Sequence, residues 1–192
     1  MKHIIKALAF VIIGLLQLGC NEESQIEGLV FSDEITTIEL NKEIPVIPNS
    51  NQNQVISLNI NDKQYSFTIS YVQIKNNNAI SQYNIFFISQ APFAVLRTVG
   101  GAAYKVNEGE EIGMDASYIY IPGSLPLMQM MGTVNTTANT IKLNEPFYLG
   151  FSSDGNSQYA SFGWLKLTIT NEKITITSYG YRTGKAIKAG EQ

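Results

Sequence analysis

The chain has 192 residues, enough for one domain of ordinary size with a buried core and too few for two comfortable ones. Charged residues make up 15% against 44% hydrophobic, so polarity comes chiefly from Asn, Ser, Thr, Gln and Gly; such a chain is too apolar and too weakly charged for disorder, and it carries no Gly-X-Y or heptad repeat. Its only Cys and only His, Cys20 and His3, lie in the first twenty residues; if that segment is a processed leader, the folded part lacks both, which removes Ser-His-Asp and Cys-His catalysis, histidine bases, zinc sites and disulfides together.

Lys2 and Lys6 precede Ala7 to Leu18, an apolar run broken only by Gly14 and Gln17. Twelve helical residues rise about 18 Å, short of the roughly 20 residues that span a bilayer. The run therefore reads as the h-region of a signal segment. It stops at Leu18-Gly19-Cys20. A small residue directly before a single Cys at the end of such a leader resembles the lipobox of bacterial lipoproteins, with Gln17 standing where that family prefers Leu, Val or Ile. The resemblance implies diacylglycerol on the Cys20 thiol, cleavage before Cys20 and acylation of the new amine. Cys20 is then a lipid attachment site and the membrane is reached through it. Two or three acyl chains at about 0.8 kcal/mol per buried methylene make attachment durable, where one is marginal. The alternatives are a signal peptide cut nearby with Cys20 left free, or an uncut N-terminal anchor.

Loss of Lys2 and Lys6 leaves eleven basic against sixteen acidic residues, a net charge of −5 in place of −3. That balance argues against nucleic acid and against electrostatic membrane binding. Asn21-Glu22-Glu23 resembles the export signal that sends lipoproteins of Bacteroidetes-type bacteria to the outer face of the outer membrane. A solvated tether, facing the periplasm, is the alternative.

In chain order, residues 1–19 read as the leader, 20–50 as tether and N-terminal extension, and 51–192 as the folded domain. Within the extension, Ile35 to Leu40 fits a strand, and Asn49 to Gln54 reads as a loop. Ile56-Ser57-Leu58-Asn59-Ile60 alternates, Asn61-Asp62-Lys63 turns, and Tyr65, Phe67, Ile69 and Tyr71 resume the alternation, which predicts a hairpin. Tyr83 to Ile88 suits a buried strand. Phe93 to Val99 reads as a strand, with a turn of helix over Ala91 to Leu96 as the alternative. Val106 to Glu111 is a polar turn, and Ser117 to Ile121 a strand closed by Pro122-Gly123. Leu125 to Met131 gathers Met128, Met130 and Met131, as core filler or as a plastic binding surface. Phe147 to Phe151 and Tyr159 to Thr170 flank the turn Ser152 to Asn156 as a second hairpin, and Lys173 to Tyr181 continues the pattern. No window shows an apolar stripe at helical spacing. The expected fold is all-β, an antiparallel, jelly-roll-like β-sandwich.

Tyr159-Ala160-Ser161-Phe162-Gly163-Trp164, then Ser178-Tyr179-Gly180-Tyr181, then Gly184 to Gly190, resemble the "YGW … G-aYE … G-x-aI-x-aG" ending of secreted bacterial β-proteins found among PEP-CTERM-type and hypothetical proteins. Phe147 to Phe151 resembles the "yiGF" strand of that group, and Val106 to Gly113 its "l-x-x-G-d-x-I-g" element. Phe162 replaces a Tyr of the pattern, and Asn59-Ile60-Asn61-Asp62-Lys63 replaces its Asp-rich early hairpin. The resemblance implies a secreted β-sandwich and carries no activity.

Three classes of function remain. A noncatalytic surface module, binding glycan or protein or serving as a structural coat component, fits the low charge, ten Tyr residues and many Asn. A carboxylate-only enzyme, glycosidase or lyase, needs two acids about 5 to 10 Å apart, and Glu108, Glu110, Glu111 and Asp115 form the best cluster, though their setting also reads as a solvated turn. A calcium site, at Asp154 with Asn156 or in that acidic cluster, is the third; no other cofactor is expected. Trp164 is either a core anchor or a sugar-stacking platform. An exposed Tyr and Trp surface marks glycan binding, paired inward carboxylates mark an enzyme, and neither leaves the structural role.

Overall fold

A computed structural model describes residues 32–47, 50–75, 81–113, 119–131, 134–135, 141–154 and 160–192. Their strands are β1 (Thr36–Pro45), β2 (Gln52–Ile60), β3 (Lys63–Lys75), β4 (Ser81–Ser89), β5 (Ala94–Arg97), β6 (Lys105–Val106) and β7 (Glu111–Ile112). There follow β8 (Ile119–Ile121), β9 (Gly123–Met131), β10 (Val134–Asn135), β11 (Pro146–Ser153), β12 (Ser161–Ile169), β13 (Lys173–Thr183) and β14 (Ile187–Lys188). One sheet runs β1-β13-β12-β11-β5-β8, with β6 also on β11; a second runs β10-β9-β4-β3-β2; β14 and β7 form a ribbon. All pairings are antiparallel. The described chain is thus an all-β sandwich, as expected.

Alternation decides which side chains meet between the sheets. Ile56, Leu58 and Ile60 on β2, Tyr65, Phe67, Ile69 and Tyr71 on β3, and Ile85 and Phe87 on β4 face Phe147, Leu149, Phe151, Leu165 and Leu167 of the other sheet. Phe67 stacks on Phe87 with ring centres 4.4 Å apart, and Phe93 lies 5.0 Å from Phe151. Met128 and Met130 turn into this core, so they serve as filler.

The β2–β3 hairpin closes on Asn61 and Asp62, both with positive φ (50° and 61°), the conformation that a two-residue turn between right-twisted strands requires. Asn61 then ties the hairpin to the facing sheet, its Nδ2 donating to Ser161 Oγ at 2.9 Å and Thr183 Oγ1 at 2.8 Å. Beside it Tyr179 Oη donates to Asn59 O at 2.9 Å. These bonds close one end of the sandwich.

The strand read over Ile35 to Leu40 is longer, Thr36–Pro45, and pairs with β13 through a bulge between Glu39 and Lys42. Ile44 is buried, and Ile38 and Leu40 pack against the core. The sheet therefore begins within the 20–50 extension, ahead of residue 51. Residues 94–97 form a strand and not a turn of helix.

Candidate functional site

The seven-stranded sheet is apolar on both faces. β11 is buried from Phe147 to Ser153 and β12 from Ser161 to Leu165, a pattern that belongs to strands covered on both sides. Leu165 and Leu167 point between the sheets, while Phe162 and Trp164 point to the outer face, where they join Leu96, Val106, Ile112, Tyr148, Ile187 and Ala189 in a second core. The C-terminal segment lays Ile187 and Ala189 over this face. Arg182 pins that segment, donating from Nη1 to Ala186 O at 2.8 Å and pairing through Nη2 with Glu191 at 3.3 Å.

Trp164 stands at the centre. Its two cross-strand neighbours are Gly150 and Gly180, and a Cβ on Gly180 would lie 2.6 Å from the indole ring. Glycine there is the space into which the ring fits. Tyr148 meets the indole edge-on, centres 5.6 Å apart, and the Tyr148 hydroxyl is covered by Gly190, whose φ of 81° and close approach (a Cβ would sit 2.9 Å from the oxygen) both call for glycine. The Trp164 ring is 2% exposed, so it anchors a core and offers no face to a sugar. Its Nε1–H has no partner among the described residues; burial of such a donor costs about 1–3 kcal/mol, which the packing of the ring offsets.

Of the acidic candidates, Glu110 and Asp154 are engaged in the scaffold. Glu110 Oε2 accepts from the backbone and side-chain nitrogens of Asn107, each at 3.0 Å, and Oε1 accepts from Tyr104 Oη at 2.9 Å, which closes the turn between β6 and β7. Glu111 is exposed on β7. Glu108 stands at the rim of a shallow cleft of about 190 Å³ with Lys105, Tyr148 and Lys166; the Lys166 ammonium lies 5.6 Å from the Tyr148 ring centre. Asp154, at the end of β11, accepts on Oδ2 from Tyr65 Oη at 2.9 Å and Lys63 Nζ at 3.1 Å. Asp154 Oδ2 is thus paired with the Lys63 ammonium. Burial first, and the Asp154 carboxylate second, push the Tyr65 phenol up to about 12. Cys20, Asp115 and Asn156 lie outside the described residues. Among the described residues no three His, Cys, Asp or Glu side chains gather as metal ligands do.

The five-stranded sheet has a different outer face. Register places Val55, Thr68, Ile88 and Ser124 in one row across β2, β3, β4 and β9, and Asn53, Ser70, Phe86 and Pro126 in the next. A third row joins Val72, Asn84 and Gln129, and Ser57 pairs with Ser66, their hydroxyls 3.1 Å apart. None of these side chains is charged. Adjacent strands repeat at about 4.7–4.9 Å and same-face residues along a strand at roughly 6.5–7 Å, so hydroxyl, amide and apolar groups form a lattice. Val55 is 59% exposed, whereas Ser70 and Asn84, farther across the sheet, are buried, and Asn84 Oδ1 has no hydrogen-bond partner among the described residues. The signal for this face was present in the sequence, in the uncharged alternate positions of the predicted β2–β3 hairpin.

No protein-family model, curated protein or solved structure matches the chain.

Proposed function

We propose that this protein is a noncatalytic structural module of a bacterial cell surface or outer membrane, held by lipid on Cys20, with the uncharged outer face of β2, β3, β4 and β9 as its contact surface. The observation that carries the reading is the contrast between the exposed Asn53, Val55, Ser57 and Ser66 of that face and the engaged state of Glu110, Asp154 and Trp164. Glu110 closes a turn, Asp154 is paired with Lys63 and Tyr65, and Trp164 is buried. No observation favours the glycosidase or lyase alternative. The contact partner that suits a lattice of hydroxyl, amide and apolar groups without charge is a neutral polymer of the surface coat, a glycan with alternating CH and OH patches. With the half-buried Phe86 as the one aromatic in those rows, each contact is weak, and many tethered copies supply avidity.

The test uses the full chain in lipid vesicles passed over immobilised neutral glucan and galactan. Retention is expected to be unchanged between low and high salt and to fall at least tenfold on Thr68→Lys. Retention only on anionic polymers, abolished by salt, contradicts the reading. For the anchor, Cys20→Ser abolishes incorporation of labelled fatty acid; continued labelling refutes it.

A further inference from the structure

The edges of the two sheets are guarded unequally. Unpaired strand edges invite pairing with another chain, and soluble proteins blunt them with short strands, charge, proline and bulges. Edge strand β1 carries Glu39, Lys42, Glu43 and Pro45 and a bulge. As described, β8 has three residues and β10 two. By contrast β2 is nine residues long, Gln-Asn-Gln-Val-Ile-Ser-Leu-Asn-Ile, with no charge, no proline and an unbroken register against β3.

The direction of its free groups follows from Asn59. Asn59 N–H donates to Tyr179 Oη at 3.2 Å and Asn59 O accepts from the same hydroxyl at 2.9 Å, so both point away from β3. In an antiparallel ladder alternate residues point the same way, which sends the N–H and C=O groups of Asn53, Val55 and Ser57 to the open edge. Among the described residues the Val55 carbonyl there is met by the Gln54 side-chain amide, at 3.2 Å, an exposed contact on its own chain neighbour. Tyr179 seals the Asn59 end, leaving the window Asn53 to Ser57.

We propose that β2 pairs antiparallel with β2 of a second copy of this chain, about a twofold axis through Val55. In that register Val55 faces its own copy, and Asn53 of each chain faces Ser57 of the other. Each facing pair exchanges two N–H···O=C bonds. The register keeps outward residues opposite outward residues, so the uncharged faces of the two copies become one ten-stranded surface and Val55, now exposed, gains an apolar neighbour. Absence of charge on β2 removes the local repulsion that two acidic chains would otherwise bring to the edge. This pairing stands apart from the glycan contact, since it uses the backbone edge and not the face.

Two measurements on the full chain test it. With Cys20→Ser to silence the native thiol, Val55→Cys is expected to give a disulfide-linked dimer under mild oxidation, because facing residues of a hydrogen-bonded pair have Cα atoms about 5.5 Å apart, inside the disulfide range. Ser66→Cys, on the same face one strand inward, is expected to cross-link at least tenfold more slowly. Equal rates, or no dimer from Val55→Cys, overturn the proposal. Val55→Pro removes an edge N–H while leaving the β2–β3 ladder whole; sedimentation in detergent is expected to show wild type as a dimer and this variant as a monomer. Wild type sedimenting as a monomer overturns the proposal.

Discussion

The two sheets share the same period-two alternation, yet their outer faces have opposite fates. On the seven-stranded sheet the outward positions hold Leu96, Tyr148, Phe162 and Trp164, and the chain returns with Ile187 and Ala189 to cover them. On the five-stranded sheet the outward positions Asn53, Val55, Ser57 and Ser66 stay at the surface and Thr68 is half-buried, while Ser70 and Asn84 farther across are buried. The difference lies in side-chain size and polarity at alternate positions. Where they are aromatic and backed by glycine, a second core forms; where, along β2 and the adjoining turn end of β3, they are small and uncharged, they stay at the surface.

Substitutions that exploit this contrast should differ most on the covered side. Trp164→Ala empties the centre of the second core and is expected to cost about 3–5 kcal/mol in urea unfolding; a loss below about 1 kcal/mol contradicts the assignment. Gly180→Ala pushes a methyl into the indole at 2.6 Å, and overpacking of this kind costs roughly 1–3 kcal/mol, read as a lowered unfolding midpoint at unchanged slope. Asn61→Ala removes two inter-sheet hydrogen bonds, at about 0.5–1.5 kcal/mol each, and strains a position with φ of 50°. Thr68→Lys on the outer face of β3 should leave stability within about 0.5 kcal/mol, while the proposed glycan contact is expected to lose at least tenfold in retention.

The smallest effect is a pH dependence. The Tyr65 phenol, ordinarily 10.0, is raised to about 12 by burial and by Asp154. The unfolded chain therefore loses this proton first, so the contribution is whole below about pH 10 and disappears as pH rises toward 12. Tyr65→Phe should flatten part of the alkaline slope of stability. Tyr71, Tyr83 and Tyr179, also raised by burial, keep the remainder, and an unchanged slope in the variant contradicts the assignment.

Much of the architecture could be read locally. The β2–β3 hairpin was visible because Ile56, Leu58 and Ile60 alternate up to Asn61-Asp62, and the β11–β12 pair because its aromatic strands flank a polar turn. Burial of Trp164 was one of two readings, but its face was not legible, since alternation separates Trp164 from Leu165 without saying which side lies between the sheets. The cover from Ile187 and Ala189 depends on contacts more than twenty residues away along the chain. β1 runs past Leu40 to Pro45 because a bulge at Asn41, with φ of 47°, resets its register, a tertiary effect that period-two counting misses. The acids Glu108 to Glu111 looked like a cluster in sequence; Tyr104 and Asn107 turn Glu110 into a turn lock, and only geometry names those partners.

The central claim is that one outer face is interior and the other is surface, and iodide quenching of tryptophan fluorescence tests it most directly, since Trp164 is the single Trp. The folded chain should resist iodide until urea unfolds it, while a Thr68→Trp chain should gain a component that iodide quenches in the folded state. Quenching of the native chain in buffer as readily as in urea would contradict the account.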